Sequence, residues 1–357
     1  MNTKSDKTIQ NRWLSIDALR GVAVLFMILQ HVTYWFCNTA KGKDVILVTG
    51  ALGGLAAPIF VTLSGLGATF LAHRRENCDK TLVLRGAIIV AYGYLLNFLT
   101  PHWFDMASWY VLHMIGLALM TTPLLRRIRT PMLLVLFVVV LVSTILIQTG
   151  LNTPFRLFNE DMASPSKPGG LLRFIIAEGF FPVFPWLAFA IAGMISGRWL
   201  LADKGKKLWW FGLLLIGAMG ALSALYYLIP ELTRSTSFIR FFRLFPTFYP
   251  AMMPITLFLI GITIIFINLS ITLDKKFPLR SSNFMVCLGR ASLTILIVHV
   301  SSIREGAFYF RFWHKLDPIP GVIAVLLVIT AFTVAAMLWR KINYKFGFEW
   351  LLRKIAD

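Results

Sequence analysis

Ten stretches of about 20 predominantly apolar residues divide the chain, and they limit the folds it can adopt more than any other feature. An α-helix of 20 residues is about 30 Å long, which matches the hydrocarbon core of a bilayer. Hydrophobic residues make up 57% and charged residues 14% of the chain, whereas charged residues approach about a quarter of a soluble domain. The sequence therefore predicts an all-α fold, a polytopic membrane helix bundle of about ten transmembrane helices in a single domain over 1–357. The predicted spans are 14–36, 46–72, 82–100, 107–125, 130–149, 180–200, 207–229, 248–270, 283–303 and 319–339.

The basic residues between the spans indicate how the chain is oriented. An even number of spans places both termini on one side. If that side is the inner one, the inner segments hold 22 Lys and Arg residues and the outer segments hold 11. Positively charged segments resist translocation, so this bias predicts that both termini are cytoplasmic. Residues 1–12 then form a cytoplasmic tail, and the two long loops, 150–179 and 230–247, lie outside the membrane.

Several functional classes are disfavoured by the same composition. The formal net charge of +19 is spread over short clusters between apolar runs, which is typical of loop anchoring and predicts no nucleic-acid partner. Cys37, Cys78 and Cys287 are widely spaced and match no metal-binding or disulfide pattern. The chain has no glycine-rich phosphate loop. We expect neither a metal nor a soluble catalytic domain.

The first span contains three ionisable residues, Asp17, Arg20 and His31. On an ideal helix they fall within about 60° of one another, and Asp17 and His31 are roughly 21 Å apart along the axis. Ionisable side chains inside a bilayer cost at least a few kcal/mol each unless they are paired or hydrated. Two interpretations remain open: a functional stripe across the membrane, or an i,i+3 ion pair with a hydrogen-bonded core histidine.

Two further histidines lie at a similar predicted depth, His113 in the fourth span and His299 in the ninth. Desolvation penalises the imidazolium, and a neutral imidazole can take a proton from a hydroxyl or amine. We therefore expect a catalytic centre of His31, assisted by His299 or His113, although independent core histidines would give the same count. Asn97, near the outer end of the third span, is a candidate to orient an imidazole or bind an acyl oxygen. A helix-end hydrogen bond explains it nearly as well.

Six blocks of the sequence, taken in order, resemble a known family. They are "RWLSIDALRGVAVLFMILQH", "GGLAAPIFVTLSG", "WYVLHMIGLALM", "FPVFPWLAFAIAGMISGR", "RLFPTFYPAMMPITLFLIG" and "LGRASLTILIVHV". They are similar to the bacterial relatives of lysosomal heparan-alpha-glucosaminide N-acetyltransferase, a branch of the transmembrane acyltransferases. The resemblance runs from about residue 12 to 303. It implies transfer of an acyl group from a cytoplasmic coenzyme A thioester to an extracytoplasmic glycan or glycolipid.

The resemblance also implies roles for the charged residues. Asp17 and Arg20 would organise the donor, with acetyl-CoA as the expected one. Arg85 and Arg290, near the inner interface, would help bind its phosphates, with snorkelling to the interface as the simpler alternative. It further implies a bacterial inner-membrane location among membrane lipids. A homodimer is left open.

One position departs from the family. In the lysosomal enzyme an asparagine stands where this chain has His31, and the catalytic histidine follows in the luminal segment after the first helix. Here that segment has no histidine before His73, at the inner end of the second span. A covalent acyl-histidine in that loop is therefore excluded. Either His31 is the base, or this chain has lost that chemistry.

Two other classes of function stay in play. A transporter or lipid flippase would use the same stripe as a proton or substrate path without covalent chemistry. A scaffold subunit would use it only to pack helices. The acceptor, the acyl chain and the choice between N- and O-acylation are not specified by the sequence.

The orientation can be tested with reporter fusions. Because the basic residues are biased two to one, we expect both termini and the 201–206 loop to report from the cytoplasm, and the 150–179 loop from the outside. An externally accessible tag at Asp357 would overturn this orientation.

Overall fold

The computed structural model describes residues 3–158, 161–162, 168–245 and 248–356, with the side chains described from Leu14 onward, and these ranges are largely helical. They contain no β-strand beyond a single bridge between Cys37 and Leu316. Main-chain polar groups in hydrocarbon must be paired within the protein, and a helix pairs them inside its own segment. The predicted all-α membrane bundle is confirmed. Residues 1–2, 159–160, 163–167, 246–247 and 357, which belong to the predicted tail, the outer loops and the carboxyl terminus, lie outside the described residues.

The helices follow one another with short connections. In chain order they are α1 (Thr3–Phe36), α2 (Lys43–Gly53), α3 (Ala56–Arg74), α4 (Asp79–Leu99), α5 (Val111–Leu125), α6 (Thr130–Gly150), α7 (Gly170–Arg173), α8 (Val183–Leu201), α9 (Gly205–Leu228), α10 (Thr236–Phe242), α11 (Met253–Lys276), α12 (Phe284–Arg290), α13 (Ser292–Val298), α14 (Glu305–Tyr309), α15 (Pro318–Trp339) and α16 (Phe348–Ala356). Wider π-helical turns occur at Phe174–Glu178 and His299–Arg304.

Eight of the described helical segments are long and apolar enough to cross a membrane, and each corresponds to a predicted span. They are Leu14–Phe36, Lys43–Arg74, Asp79–Leu99, Thr130–Gly150, Val183–Leu201, Gly205–Leu228, Met253–Lys276 and Pro318–Ile342. Of the two remaining predicted spans, 283–303 is bent and 107–125 is shorter in the structure.

The predicted span 283–303 is broken. α12 ends at Arg290, and a second segment, Ser292–Tyr309, continues at an angle of 70°. At the break the Glu349 carboxylate accepts hydrogen bonds from the N–H groups of Leu293 (2.6 Å) and Thr294 (3.0 Å), which replace the carbonyl partners of an unbroken helix. The predicted span thus corresponds to two helices that meet at an angle, and the cap at the break comes from α16, more than fifty residues later in the chain.

The predicted span 107–125 is shorter than expected. α5 begins at Val111 and has 15 residues, so it is roughly 22 Å long, less than the ~30 Å hydrocarbon core. Asp105 and Ser108 hold the preceding residues in a turn. The Asp105 carboxylate accepts from the Ala107 N–H (2.9 Å), and the Ser108 hydroxyl accepts from the Asp105 N–H (3.0 Å). Such local side-chain bonds compete with helix formation.

The described chain divides into two compact units. The first combines the two ends of the chain, up to Phe60 and from Phe266 to Ile355, and the second is Val61–Ile265. The boundaries fall inside α3 and α11.

In the first unit, α1 and α12 pack backbone against backbone. A Cβ added at Gly21 would overlap the carbonyl of Met285, and one added at Gly289 would overlap the carbonyl of Asp17. Small residues at a helix interface allow this approach, which is a common source of stability between membrane helices.

The carboxyl end of α1 is closed by a distant segment of the same unit. The N–H of His314 donates to the carbonyl of Trp35 (2.9 Å), and the N–H of Leu316 donates to the carbonyl of Phe36 (2.8 Å). These bonds satisfy carbonyls that a helix end leaves without partners. They fix the turn of α1 that follows His31.

The second unit uses the same device at two helix pairs. Gly86 of α4 and Gly116 of α5 face each other, each too close to the other's carbonyl to accept a Cβ. Gly193 of α8 packs in the same way against the main chain of Thr62 in α3. The described parts of the two long loops that are predicted to lie outside also belong to this unit.

The α1–α12 contact can be tested by Gly289→Ala. The added methyl group would meet the main chain of Asp17, which cannot yield as a side chain can. We expect a loss of about 1–3 kcal/mol, measured as a lower midpoint of thermal unfolding in detergent. Gly217→Ala in α9 is the matched control, because nothing lies within 4 Å of its added Cβ. Equal midpoints for the wild type and Gly289→Ala would contradict the contact.

Candidate active site

The charged residues of α1 form a cluster with one residue of α12. The Asp17 carboxylate binds two arginines: Arg20 Nη1 lies 3.2 Å from Oδ1, and Arg290 Nε lies 3.0 Å from Oδ2. The Asp17 side chain is 14% exposed, compared with 27% for Arg20 and 35% for Arg290. One carboxylate therefore faces two guanidinium groups, and the cluster of Asp17, Arg20 and Arg290 keeps one net positive charge.

The i,i+3 pair of Asp17 and Arg20, which the sequence offered as a packing interpretation, is thus present, and Arg290 adds a second partner. Arg290 is the last residue of α12 and follows Gly289, whose contact with α1 brings the guanidinium within reach. A guanidinium has five N–H donors in a planar fork. Donors beyond those used by Asp17 are suited to an anionic oxygen.

His31 and His299 form the second cluster of this unit. Nδ1 of His31 lies 3.0 Å from Nε2 of His299, and the rings are nearly parallel, with centroids 5.3 Å apart. Trp35 stacks on His31 at 5.2 Å. His299 is fully buried, whereas His31 is only half-buried. The structure therefore brings together two of the three predicted histidines.

The hydrogen bonds of this histidine pair determine where its protons lie. Nδ1 of His299 is 2.8 Å from the carbonyl oxygen of Ile295. A carbonyl oxygen can only accept, so Nδ1 of His299 carries the proton. In the neutral ring Nε2 of His299 then accepts, and Nδ1 of His31 must donate to it. In a neutral His31 the lone pair is therefore on Nε2, which is the form required of a base.

The backbone around His299 is wider than an ordinary helix. A π-helical turn starts at His299 and ends at Arg304, and such turns are frequent at functional sites. Arg304 is buried, forms an ion pair with Glu305, and lies over the Trp313 ring at 5.2 Å. The sequence reasoning assigned Arg304 to an outer segment because the predicted span ended at 303.

Glu349 is another residue that sequence reasoning missed. Besides capping the Leu293 and Thr294 N–H groups, it binds the Thr294 hydroxyl. Burial raises the pKa of this carboxyl above its usual range, against the opposing effect of its hydrogen bonds. Glu349 thus fixes the amino end of the helix that leads to His299.

His113 belongs to the second unit and has a different environment. Its Nδ1 accepts from the N–H of Tyr110 at 3.2 Å, so a neutral ring carries its proton on Nε2. That nitrogen is buried and has no hydrogen-bond partner among the described residues. The ring is stacked on Trp109 at 5.1 Å and faces Gly93, where a Cβ would come within 2.8 Å of Nε2. In this form His113 is a hydrogen-bond donor and not a base.

Asn97 and Arg85, both on α4, also lie in the second unit. Asn97 is buried, and its amide donates to the carbonyl of Ser108 at 2.9 Å, which supports the interpretation as a helix-end hydrogen bond. Its Oδ1 has no hydrogen-bond partner within the part of the chain that is described. Arg85 is half-buried.

A buried charged network in the second unit escaped the sequence analysis. Arg173 binds both carboxylate oxygens of Glu178 at 2.7 Å, and the Thr153 hydroxyl donates to the same carboxylate at 2.7 Å. Arg240, also buried, donates to the Thr153 carbonyl and to the Gln148 side chain. Burial lowers the pKa of Arg240 to about 10, and Glu178 acts in the opposite direction. The network joins the two predicted outer loops.

Comparison with known proteins adds one match. A family model described as "Heparan-alpha-glucosaminide N-acetyltransferase, catalytic" matches residues 12–232. The matched stretch includes Asp17, Arg20 and His31, but ends before Arg290 and His299. No curated protein matches the chain.

Proposed function

The chain belongs to the heparan-alpha-glucosaminide N-acetyltransferase catalytic family, and from this premise we propose that it is a membrane enzyme that moves an acyl group from acyl-CoA to a glycan or glycolipid. Acetyl-CoA is the donor we expect, bound from the cytoplasm. The acceptor is extracytoplasmic, and the enzyme lies in a bacterial inner membrane with both termini inside. The observation that carries the proposal is that α1 takes part in two polar clusters. His31 of α1 is hydrogen-bonded to His299, and Asp17 and Arg20 of α1 form the cluster with Arg290.

The cluster of Asp17, Arg20 and Arg290 is the proposed binding site for the donor phosphates. Guanidinium groups bind phosphate oxygens through paired, charge-assisted hydrogen bonds. Asp17 holds the two arginines in place while leaving one positive charge uncompensated. Arg20 and His31 are eleven residues apart on α1, which corresponds to ~16 Å along the helix axis. An extended donor bound at the arginines would direct its thioester towards His31.

His31 is the proposed general base. Its Nε2 takes the proton from the acceptor hydroxyl or amine as that oxygen or nitrogen attacks the thioester carbonyl carbon. A new acyl–oxygen or acyl–nitrogen bond forms, the carbon–sulfur bond breaks, and its electron pair leaves on the sulfur. Protonated His31 then returns the proton to the thiolate. A positioned base of this kind typically contributes a factor of about 100 to 10,000 in rate.

His299 is the proposed positioning residue. It accepts from Nδ1 of His31 and is itself held by the Ile295 carbonyl, so it selects the tautomer in which Nε2 of His31 is basic. When His31 becomes protonated, Nδ1 keeps its proton and the bond to His299 persists. The lysosomal enzyme carries an asparagine where His31 stands, so direct transfer with His31 as base is the mechanism that suits this chain.

Donor binding gives the first test. Acetyl-CoA at 100 times its dissociation constant should stabilise the purified protein by about 2.7 kcal/mol. Arg20→Ala and Arg290→Ala each remove a charge-assisted bond and should weaken binding by about tenfold or more. Arg280→Ala is the matched control, because Arg280 is exposed on the same predicted side. No thermal shift at millimolar acetyl-CoA, together with a clear shift from a transported solute, would favour a transporter.

The base assignment gives the second test. His31→Ala and His31→Asn should leave donor binding intact and lower acyl transfer by on the order of 100-fold or more. His299→Phe keeps a ring but removes the acceptor for Nδ1, so it should lower the rate with little change in donor binding. The assay is transfer of labelled acetyl to lipid or glycan in proteoliposomes.

His73→Gln controls for the loss of a histidine as such, because His73 is exposed at the carboxyl end of α3. A His31→Asn variant with the wild-type rate would show that His31 is not the base. His299 would then be the next candidate. Failure of His31→Ala to fold would instead support the packing interpretation of the stripe.

A further inference from the structure

An apolar groove runs between the second half of the broken helix and α15. Its volume is about 170 Å³. The lining includes Ala291, Ile295 and Val298 on one side and Phe332, Ala335 and Trp339 on the other. Each set follows the i, i+4, i+7 or i, i+3, i+7 spacing of one helix face. We call it the α13–α15 groove.

The groove opens beside the exposed face of α15, a face that would meet lipid in a membrane-spanning bundle. Val298 is 39% exposed, and most of α15 is exposed as well. A cavity of about 150 Å³ lined by apolar side chains holds a small hydrocarbon such as benzene. The α13–α15 groove therefore has room for part of an alkyl chain. Its polar side-chain groups, the Thr294 hydroxyl and the Trp339 indole N–H, are already hydrogen-bonded within the protein.

Five basic residues follow the groove in sequence, and all are exposed. We call them the basic cluster: Arg340, Lys341, Lys345, Arg353 and Lys354. The acidic residue of the same segment, Glu349, points its carboxylate at the amino end of α13 and is already bound there. The exposed charge of this segment is therefore uniformly positive.

The segment that carries the basic cluster is packed against one end of the groove. Trp339 lines the groove, and its indole N–H donates to the Lys345 carbonyl at 2.8 Å. The N–H of Phe348 donates to the hydroxyl of Thr294, which also lines the groove, at 2.8 Å. The end of the groove and the basic cluster are thus parts of one local structure.

The last helix has the pattern of an interfacial helix. In α16, "FEWLLRKIA", apolar residues alternate with charged ones at helical spacing, and Lys354 lies over the Trp350 ring at 5.0 Å. Phe346, just before it, is 80% exposed. A basic amphipathic helix beside the end of a membrane span is a recognised binding pattern for anionic lipid.

We propose that the α13–α15 groove and the basic cluster together bind one anionic phospholipid, with an acyl chain in the groove and the phosphate against Arg340, Lys341 and Lys345. Charge selects this occupant, since a zwitterionic lipid would gain much less from five exposed cations. The groove supplies the second half of the site. This proposal is independent of the acyltransferase reaction, because it uses no residue of either cluster of the candidate active site.

The groove lies next to His299, so a lipid bound there would affect the segment that carries this residue. The Phe332 ring, at the end away from the basic cluster, meets the His299 ring edge-on at 6.4 Å. A chain in the groove would lie behind the buried face of His299. Lipid binding is therefore expected to restrict the movement of the segment that carries His299.

The test is native mass spectrometry of the full-length protein with phosphatidylglycerol and with phosphatidylcholine of identical chains. The wild type should retain phosphatidylglycerol in preference. The double variant Lys341→Gln with Lys345→Gln should weaken phosphatidylglycerol binding by about fivefold for each charge removed. Ala335→Leu should weaken it by filling the groove without changing the charge.

Two matched controls separate this site from general effects. Lys206→Gln with Lys207→Gln removes two exposed charges at another predicted inner loop, and Ala224→Leu adds the same bulk to an exposed face of α9. Both should bind phosphatidylglycerol as the wild type does. Equal retention of the two lipids by the wild type, or variants that bind like their controls, would overturn the proposal. Absence of acyl transfer by the wild type, together with a clear preference for phosphatidylglycerol, would count against the proposed function alone.

Discussion

The arrangement of the candidate site depends on the close approach of α1 and α12. At Gly21 and Gly289 no side chain separates the two backbones, and the residue after Gly289 is Arg290, which therefore reaches Asp17 at 3.0 Å. Burying one carboxylate with two guanidinium groups is tolerable only if the geometry is good, since each ion loses hydration. The glycine contact supplies that geometry. The same close approach therefore determines both the helix packing and the ion pair of Asp17 with Arg290.

The break after Arg290 places two side-chain contacts with α1 on two different helices. Arg290, before the break, joins the cluster at Asp17, and His299, after the 70° bend, joins His31. Glu349 replaces the main-chain acceptors that the break removes, so the bend leaves those N–H groups satisfied. The two contacts with α1 are then held by two consecutive short helices, and Glu349, from the last of the described helices, caps the second of them.

The sequence predicted those parts of the site that follow from the period of one helix. Asp17, Arg20 and His31 share a face of α1 by angle alone, and the eight long apolar helices follow from run length. His299 was found because its span was apolar and its depth could be counted. The sequence named His299 and His113 as possible partners of His31 but could not choose between them, because the choice depends on the 70° bend after Arg290. Arg173, Glu178 and Arg240 were missed for a similar reason: they lie in segments of loop composition, where neither period nor run length predicts burial.

The family match covers only some of the residues that meet at the candidate site. The family match ends at residue 232, yet Asp17 and His31, inside it, bind Arg290 and His299, outside it. The ion pairing of Asp17 and the hydrogen bonding of His31 therefore depend on residues beyond the matched part. An asparagine at position 31 could still hydrogen-bond to His299, but an amide has no basic nitrogen. In the neutral His31 the lone pair lies on Nε2 because His299 accepts from Nδ1, so the base role proposed for His31 depends on the histidine at 299.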